Sequence, residues 1–212
     1  TVYLIFNQGY SDVRNELSAE AIRLGRILAA LMPDDPEVLG LLALMLLQDS
    51  RRHARLDDGL LVLLEDQDRW RWDEDEIAEG RELVEAALRR RRPGPYQLQA
   101  AIAACHTQDE SDWPQIVALY GELLRIDPSP VVALNRAVAV AMAEGPAAGL
   151  ALVDELAGEK SLAGYHLLPA VRADLLIKLG RLGEARDELE RAAGLAKNAR
   201  EKALLLERAR GL

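Results

Sequence analysis

Few residues in this chain are of a type that does chemistry, and their spacing limits what they can do. Its one cysteine, Cys105, is followed by His106. Neighbouring helical residues project to different sides, so adjacency alone gives no Cys–His dyad. Cys105 lies in an apolar stripe, where a small buried thiol is expected, and a single cysteine excludes a disulfide within the chain. The remaining histidines, His53 and His166, have no His or Glu four residues away as a zincin helix requires. No serine stands in a nucleophile elbow, and no glycine-rich loop is built to cradle phosphate. The expectation is a protein that is not an enzyme and takes no metal or cofactor. The densest polar cluster is Glu65-Asp66-Gln67-Asp68-Arg69, beside the apolar run Leu60–Leu64. Its carboxylates lack the spacing and the glycine of an EF-hand. Two readings stay open for it: a loop held between helix pairs, its backbone groups satisfied by those side chains, or a recognition loop. A second polar pair, Asn135-Arg136, stands in an Ala/Val-rich helix.

The elements that position these residues are helices. Ala173, Gly180, Ala185 and Ala192 form a ladder of small residues around Lys178-Leu179-Gly180-Arg181-Leu182-Gly183. Ala173 lets one helix approach its partner, Gly180 ends it, and Ala185 and Ala192 keep the second helix close. This is the packing logic of a tetratricopeptide (TPR) unit of about 34 residues, which buries its apolar face only by stacking on neighbours. One period back lies Val131–Ala143, then Gly145-Pro146 and a helix near Ala147–Leu156. A further period back pairs Tyr96–His106 with Trp113–Ile126, closed by Asp127-Pro128-Ser129-Pro130. Ser129 as N-cap and Pro130 at the first position start the next helix. The units are then 97–130, 131–165 and 166–199, with a terminal helix Ala199–Arg210 capped by Asn198 and a capping-box Glu201. On the first helix of such a unit, Asn and Arg line the groove and grip a peptide backbone or carboxylate. Asn135 and Arg136 are expected either there or in structural hydrogen bonds.

The first half is less regular. Thr1–Phe6 is apolar and opens without Met, which reads as a piece of a longer chain or a processed form. Asn7 and Tyr10 are placed to cap or bridge the first helices. Ser18 is expected to cap a helix ending at Met32-Pro33-Asp34-Asp35-Pro36, where Asp35 and Pro36 begin the next one. That helix, through Val38–Leu47, is apolar all round and should be buried on several sides. Leu56–Trp72 breaks the helical pattern: Asp57-Asp58-Gly59 signals a turn, and Leu60–Leu64 an extended or strand segment. Asp73 and Glu76 form a capping box for a helix ending at Arg89-Arg90-Arg91-Arg92. That basic run suits a helix C-terminus or, alternatively, docks an acidic partner. The fold expected is all-α, a TPR-like array of antiparallel helix pairs with an irregular extended segment near residues 56–72. Its regions are 1–95, helical with the extended loop, and 96–212, repeats and terminal helix, expected to form one continuous domain. Formal net charge is −9, against a primary role in binding nucleic acid. The longest uncharged apolar run, Val38–Leu47, has ten residues, too short to cross a bilayer. A soluble, cytoplasmic protein is expected.

Several longer motifs resemble one family. Tyr3-Leu4-Ile5-Phe6-Asn7-Gln8-Gly9-Tyr10, Ala19–Leu24, Pro36–Leu47, Leu63-Leu64-Glu65-Asp66-Gln67-Asp68-Arg69, Pro93–His106 and Ser129–Ala139 are similar to the C-terminal extension of a group of bacterial extracytoplasmic-function (ECF) RNA polymerase sigma factors. The family pattern has Glu where Gln8 stands and a small residue at Trp70. The resemblance covers essentially the whole chain. It implies a regulatory protein-interaction domain that modulates transcription initiation. Its partners would be the factor's own N-terminal sigma domains, RNA polymerase or a regulatory protein. The polymerase- and promoter-binding machinery is not in this chain: it has no basic recognition helix and no acidic-aromatic −10 reader. No direct nucleic-acid contact and no membrane contact are expected of it. The alternative is a free-standing helical-repeat peptide or ligand sensor unconnected to transcription. The candidate partner-binding residues are Asn135, Arg136, Glu65, Asp66, Gln67, Asp68 and Arg69.

Overall fold

The computed structural model describes residues 1–12, 15–57, 60–62 and 64–212, with the backbone alone at 11, 12, 15, 56, 57, 60, 61 and 65. It divides into two compact units, Thr1–Asp112 and Trp113–Leu212.

In the first unit, α1 (Val2–Asp12), α2 (Asn15–Leu31), α4 (Glu74–Arg89) and α5 (Pro95–Cys105) all pack on α3 (Pro36–Asp49). This is the surrounding that an all-round apolar helix demands: Leu42 through Leu47 are buried without a break. Asp35 starts α3 as expected, its carboxylate accepting from the Glu37 and Val38 N–H groups at 2.9 and 3.4 Å. Ser18 is not the cap of α2. The helix begins three residues earlier, at Asn15, and Ser18 is buried where Gly9 of α1 comes close; a Cβ on Gly9 would lie 2.9 Å from the Ser18 hydroxyl. Ion pairs link α2 to α4 and the turns after them: Arg26 meets Glu79 at 2.6 Å, and Arg90, after α4, meets Asp34, after α2, at 3.0 Å. Arg90 and Arg92 also donate to the Pro33 and Asp34 carbonyls. Two arginines of the basic run are therefore engaged in fixing the turn between α2 and α3.

Helices α3 and α5 start side by side. Gly40 permits this, because a Cβ there would fall 2.6 Å from the Gln97 backbone nitrogen. The Glu37 carboxylate, in the first turn of α3, accepts from the Tyr96 and Gln97 N–H groups and from Gln97 Nε2, each at 3.1 Å. It caps α5, whose own N-cap, Gly94, has no side chain to do so. Helix α5, read from the sequence as the head of the repeats, thus packs within the first unit.

In the second unit, α6 (Trp113–Ile126), α7 (Pro130–Glu144), α8 (Pro146–Leu156), α9 (Leu167–Lys178), α10 (Leu182–Leu195) and α11 (Ala199–Arg210) each pack on the next. Ala173, Ala185 and Ala192 are fully buried, as the ladder requires. Gly180 ends α9 at φ +74°, where its N–H donates to the Ile177 carbonyl and that of Arg181 to the Leu176 carbonyl, both at 2.9 Å. This paired closure needs a left-handed residue, for which glycine is the default. A single residue, Gly145, separates α7 from α8. Their close approach comes at Gly149, where a Cβ would lie 2.4 Å from that of Ala141. Asn198 caps α11 through the Arg200 N–H at 2.9 Å. Glu201, expected in the capping box, lies 3.3 Å from His166 Nε2. Among the described residues, no helix is long and apolar enough to cross a membrane.

Candidate functional site

The loop between α3 and α4 carries five of the seven candidate residues. Its stem is closed by backbone: the Asp73 N–H donates to the Ser50 carbonyl at 2.8 Å. Above the stem, Leu56–Asp57 and Leu60–Leu61 pair as a two-residue antiparallel ladder. The turn expected at Asp57-Asp58-Gly59 falls, at 58–59, outside the described residues, as does Leu63. Two short 3₁₀ turns follow, Leu64–Asp66 and Arg69–Arg71.

Within the polar cluster the side chains divide. Glu65 lies in the first turn, and its side chain is outside the described residues. Asp66 is exposed. Gln67 is half-buried and donates through Nε2 to the Val62 carbonyl at 3.2 Å, while its Oε1 is buried without a hydrogen-bond partner among the described residues. Asp68 caps the second turn, accepting from the Trp70 N–H at 3.1 Å. Arg69 donates to the Gln108 carbonyl at 2.5 Å and the His106 carbonyl at 3.3 Å, beyond the end of α5. Its guanidinium lies 4.8 Å from the centre of the buried Trp72 ring, an arrangement favoured by the ring quadrupole. Asp68 and Arg69 therefore do local structural work, whereas Asp66 is offered to solvent.

Other arginines of this loop hold α1. Arg55 stacks on the Tyr10 ring, 3.5 Å from its centre, and donates to the Tyr10 carbonyl at 2.7 Å. Arg51 reaches the Tyr10 hydroxyl at 3.4 Å. Tyr10, expected to cap or bridge the first helices, instead ties α1 to the loop after α3. Cations at the carbonyl ends of α1 and α5 suit the negative ends of those helices. His106 sits among them, with Nδ1 3.4 Å from the Ser111 hydroxyl. Burial, then the charges of Arg51 and Arg69, push its imidazole down to about 4, so it is neutral at pH 7. Cys105 is buried and its thiol is pushed up by that burial, which leaves little thiolate for chemistry. Among the described residues, no three His, Cys, Asp or Glu side chains group as a metal site would need.

A cleft of about 370 Å³ opens beside the loop, lined by Arg69, Trp72, Ile77, Arg81 and Thr107 among others. Trp70, the residue after Arg69, is 97% exposed on the turn that Asp68 and Arg69 fix. Gln8, the other departure from the family pattern, is exposed as well. Trp70 reads in sequence only as a departure; its exposure comes from the turn, which fixes which of two nearby tryptophans faces inward. Asn135 and Arg136 lie in the second unit on α7, Asn135 exposed and Arg136 half-buried.

A further set was missed by sequence reasoning. Asp49 and Arg52, at and after the end of α3, meet Asp73 and Glu76 at the start of α4. The capping-box pattern identified Asp73 and Glu76 as local partners, and Asp73 does accept from the Glu76 N–H at 3.0 Å. Nothing local showed that the same carboxylates face Asp49 and Arg52.

Residues 1–88 match the model of a family of unknown function, DUF6596. An uncharacterized protein of Rhizobium meliloti (strain 1021) is 51% identical over 215 residues, covering 96% of this chain and 50% of that protein. The chain therefore spans about half the length of this curated relative. The crystal structure of a thermophilic TPR protein from Thermus thermophilus is similar with a TM-score of 0.66 over 100% of both chains, at 15% identity. At that identity the likeness shows the fold, an all-helical, TPR-like repeat.

Proposed function

We propose that this chain is the regulatory protein-interaction domain of an ECF-type RNA polymerase sigma factor, acting on transcription initiation by binding a protein. The observation that carries the reading is a conjunction. Motifs resembling the sigma-factor extension run along the whole chain, and the chain has the TPR-like fold, whose recurrent use is peptide and protein recognition. In this reading the polymerase- and promoter-binding domains lie outside this chain. The partner is those domains, polymerase itself or a regulatory protein.

Two surfaces are candidates. On α7, Arg136 offers a planar fork suited to a carboxylate, with Asn135 exposed one residue before it. On the loop, Asp66 is exposed and Asp68 and Arg69 fix the turn that carries Trp70. The test uses the full-length protein in a transcription reporter, with circular dichroism beside it. Arg136→Ala is expected to weaken output with the helical signal intact; lost helicity would make Arg136 structural, and full output would remove it from the interface. Asp66→Ala with Asp68→Asn, which keeps the cap acceptor, tests the loop in the same way. If both surfaces can be altered without effect, or if the gene encodes no sigma-type domains upstream of Thr1, the reading fails. A free-standing peptide or ligand sensor then takes its place.

A further inference from the structure

The stem of the loop after α3 gathers more negative charge than it balances. Asp49 is only 2% exposed and is paired with the Arg52 guanidinium. The same guanidinium lies 3.4 Å from Glu76 Oε1 and 3.8 Å from Asp73 Oδ2. Glu76 Oε2 is buried with no hydrogen-bond partner among the described residues. Arg26 of α2 faces Glu76 from further away and is engaged by Glu79. His53, exposed, lies with Nε2 3.2 Å from Arg52 Nε. Three carboxylates around one close cation carry two excess negative charges when all are ionised, and one when a single carboxyl holds a proton. The cluster sits where the loop leaves α3 and returns to α4, next to the Asp73–Ser50 bond that closes its two ends.

We propose that this cluster is a proton-sensitive clasp, which holds together the two ends of the loop, residues 50–55 and 64–72, while Glu76 is neutral and loosens them when Glu76 ionises. The geometry selects Glu76: Asp49 has the close Arg52 pairing and Asp73 the N-cap bond, whereas Glu76 has the longer contact and the unpartnered oxygen. Burial first, then the charge of Asp49, raises its carboxyl from 4.5 to about 7. Burial raises the Asp49 carboxyl too, against the pull of Arg52. A folded-state value above the unfolded one favours the neutral form in the fold. The stabilisation from Glu76 is therefore complete below about 4.5 and is lost as pH rises through about 7. Above that pH the second excess charge pushes the end of α3 from the start of α4, and the segments 50–55 and 64–72 that join there loosen with it. The clasp does not depend on what the loop binds.

Hydrogen–deuterium exchange of the whole chain tests it, reading peptides that cover residues 50–55 and 64–72 at pH 6 and pH 8 after correction for intrinsic exchange. The wild type should lose protection there by roughly tenfold or more, the ratio equivalent to one pKa unit of coupling, while α9 and α10 change little. Glu76→Gln should stay protected at both values, and His53→Gln should respond as the wild type does. Equal protection of the wild type at pH 6 and pH 8 overturns the clasp, whether or not the variants fold. So does a Glu76→Gln protein that keeps the full response, or a response abolished by His53→Gln alone.

Discussion

Glu37 shows how one side chain can organise two helices. Its carboxylate belongs to the first turn of α3 yet satisfies two N–H groups at the start of α5 and the buried Gln97 amide. Gln97 Nε2 also donates to the Arg92 carbonyl at 2.7 Å, which ties the Pro93–Pro95 turn to the same point. Glu37→Ala leaves the Gln97 amide short of a partner and α5 without a cap, at a cost of about 1–3 kcal/mol. Glu37→Gln, which keeps one acceptor oxygen, should cost less. Urea midpoints of both variants check this, and equal stability of Glu37→Ala and the wild type would show the contact to be idle. The caps at Asp35, Asp73 and Asn198 were legible in the sequence because each acts on its own next turn. The cap from Glu37 was not, since its targets lie about sixty residues away and no local pattern marks them. Asp49 and Arg52 were hidden for the same reason.

At the scale of elements, what the sequence revealed was spacing. The ladder Ala173, Gly180, Ala185, Ala192 was readable because small residues at a helix–helix seam recur with a fixed offset, and all three alanines are fully buried. Ala173→Leu or Ala185→Leu should force α9 and α10 apart at about 1–3 kcal/mol each. Gly149→Leu should do the same between α7 and α8, where even a Cβ would meet Ala141 at 2.4 Å. Thermal melts compare these with Gly194→Ala, a position where an added Cβ meets nothing within 4 Å. Unchanged melting temperatures for all three large substitutions would mean that these seams do not carry the packing. The start of α2 was misread because Ser18 fits the N-cap preference, yet the helix begins at Asn15 and the serine, within it, packs close to Gly9. The polar cluster at 65–69 stayed ambiguous because Asp and Arg in a loop have the same composition whether they hold the backbone or face a partner. Asp68 and Arg69 hold it; Asp66 faces out.

For the whole molecule, charge is the property the sequence states most directly. The chain carries 35 acidic against 26 basic side chains, a formal net charge of −9. Arginines that look available in the sequence are engaged: Arg52 by three carboxylates, Arg55 by Tyr10, Arg69 by carbonyls beyond α5, Arg90 by Asp34 and the Pro33 carbonyl. Phosphate binding needs cations that are clustered and free, because affinity for duplex DNA comes largely from releasing counterions. Isolated residues 1–212 should therefore bind duplex DNA no better than the roughly 10⁻⁴–10⁻⁶ M of non-specific association at physiological salt. Fluorescence anisotropy with labelled promoter-length duplexes measures this. Lowering the salt should change affinity only slightly, since few phosphates are neutralised. Sub-micromolar, sequence-dependent binding with a steep salt slope would place a DNA-reading surface in these residues, and the partner would then be nucleic acid and not protein.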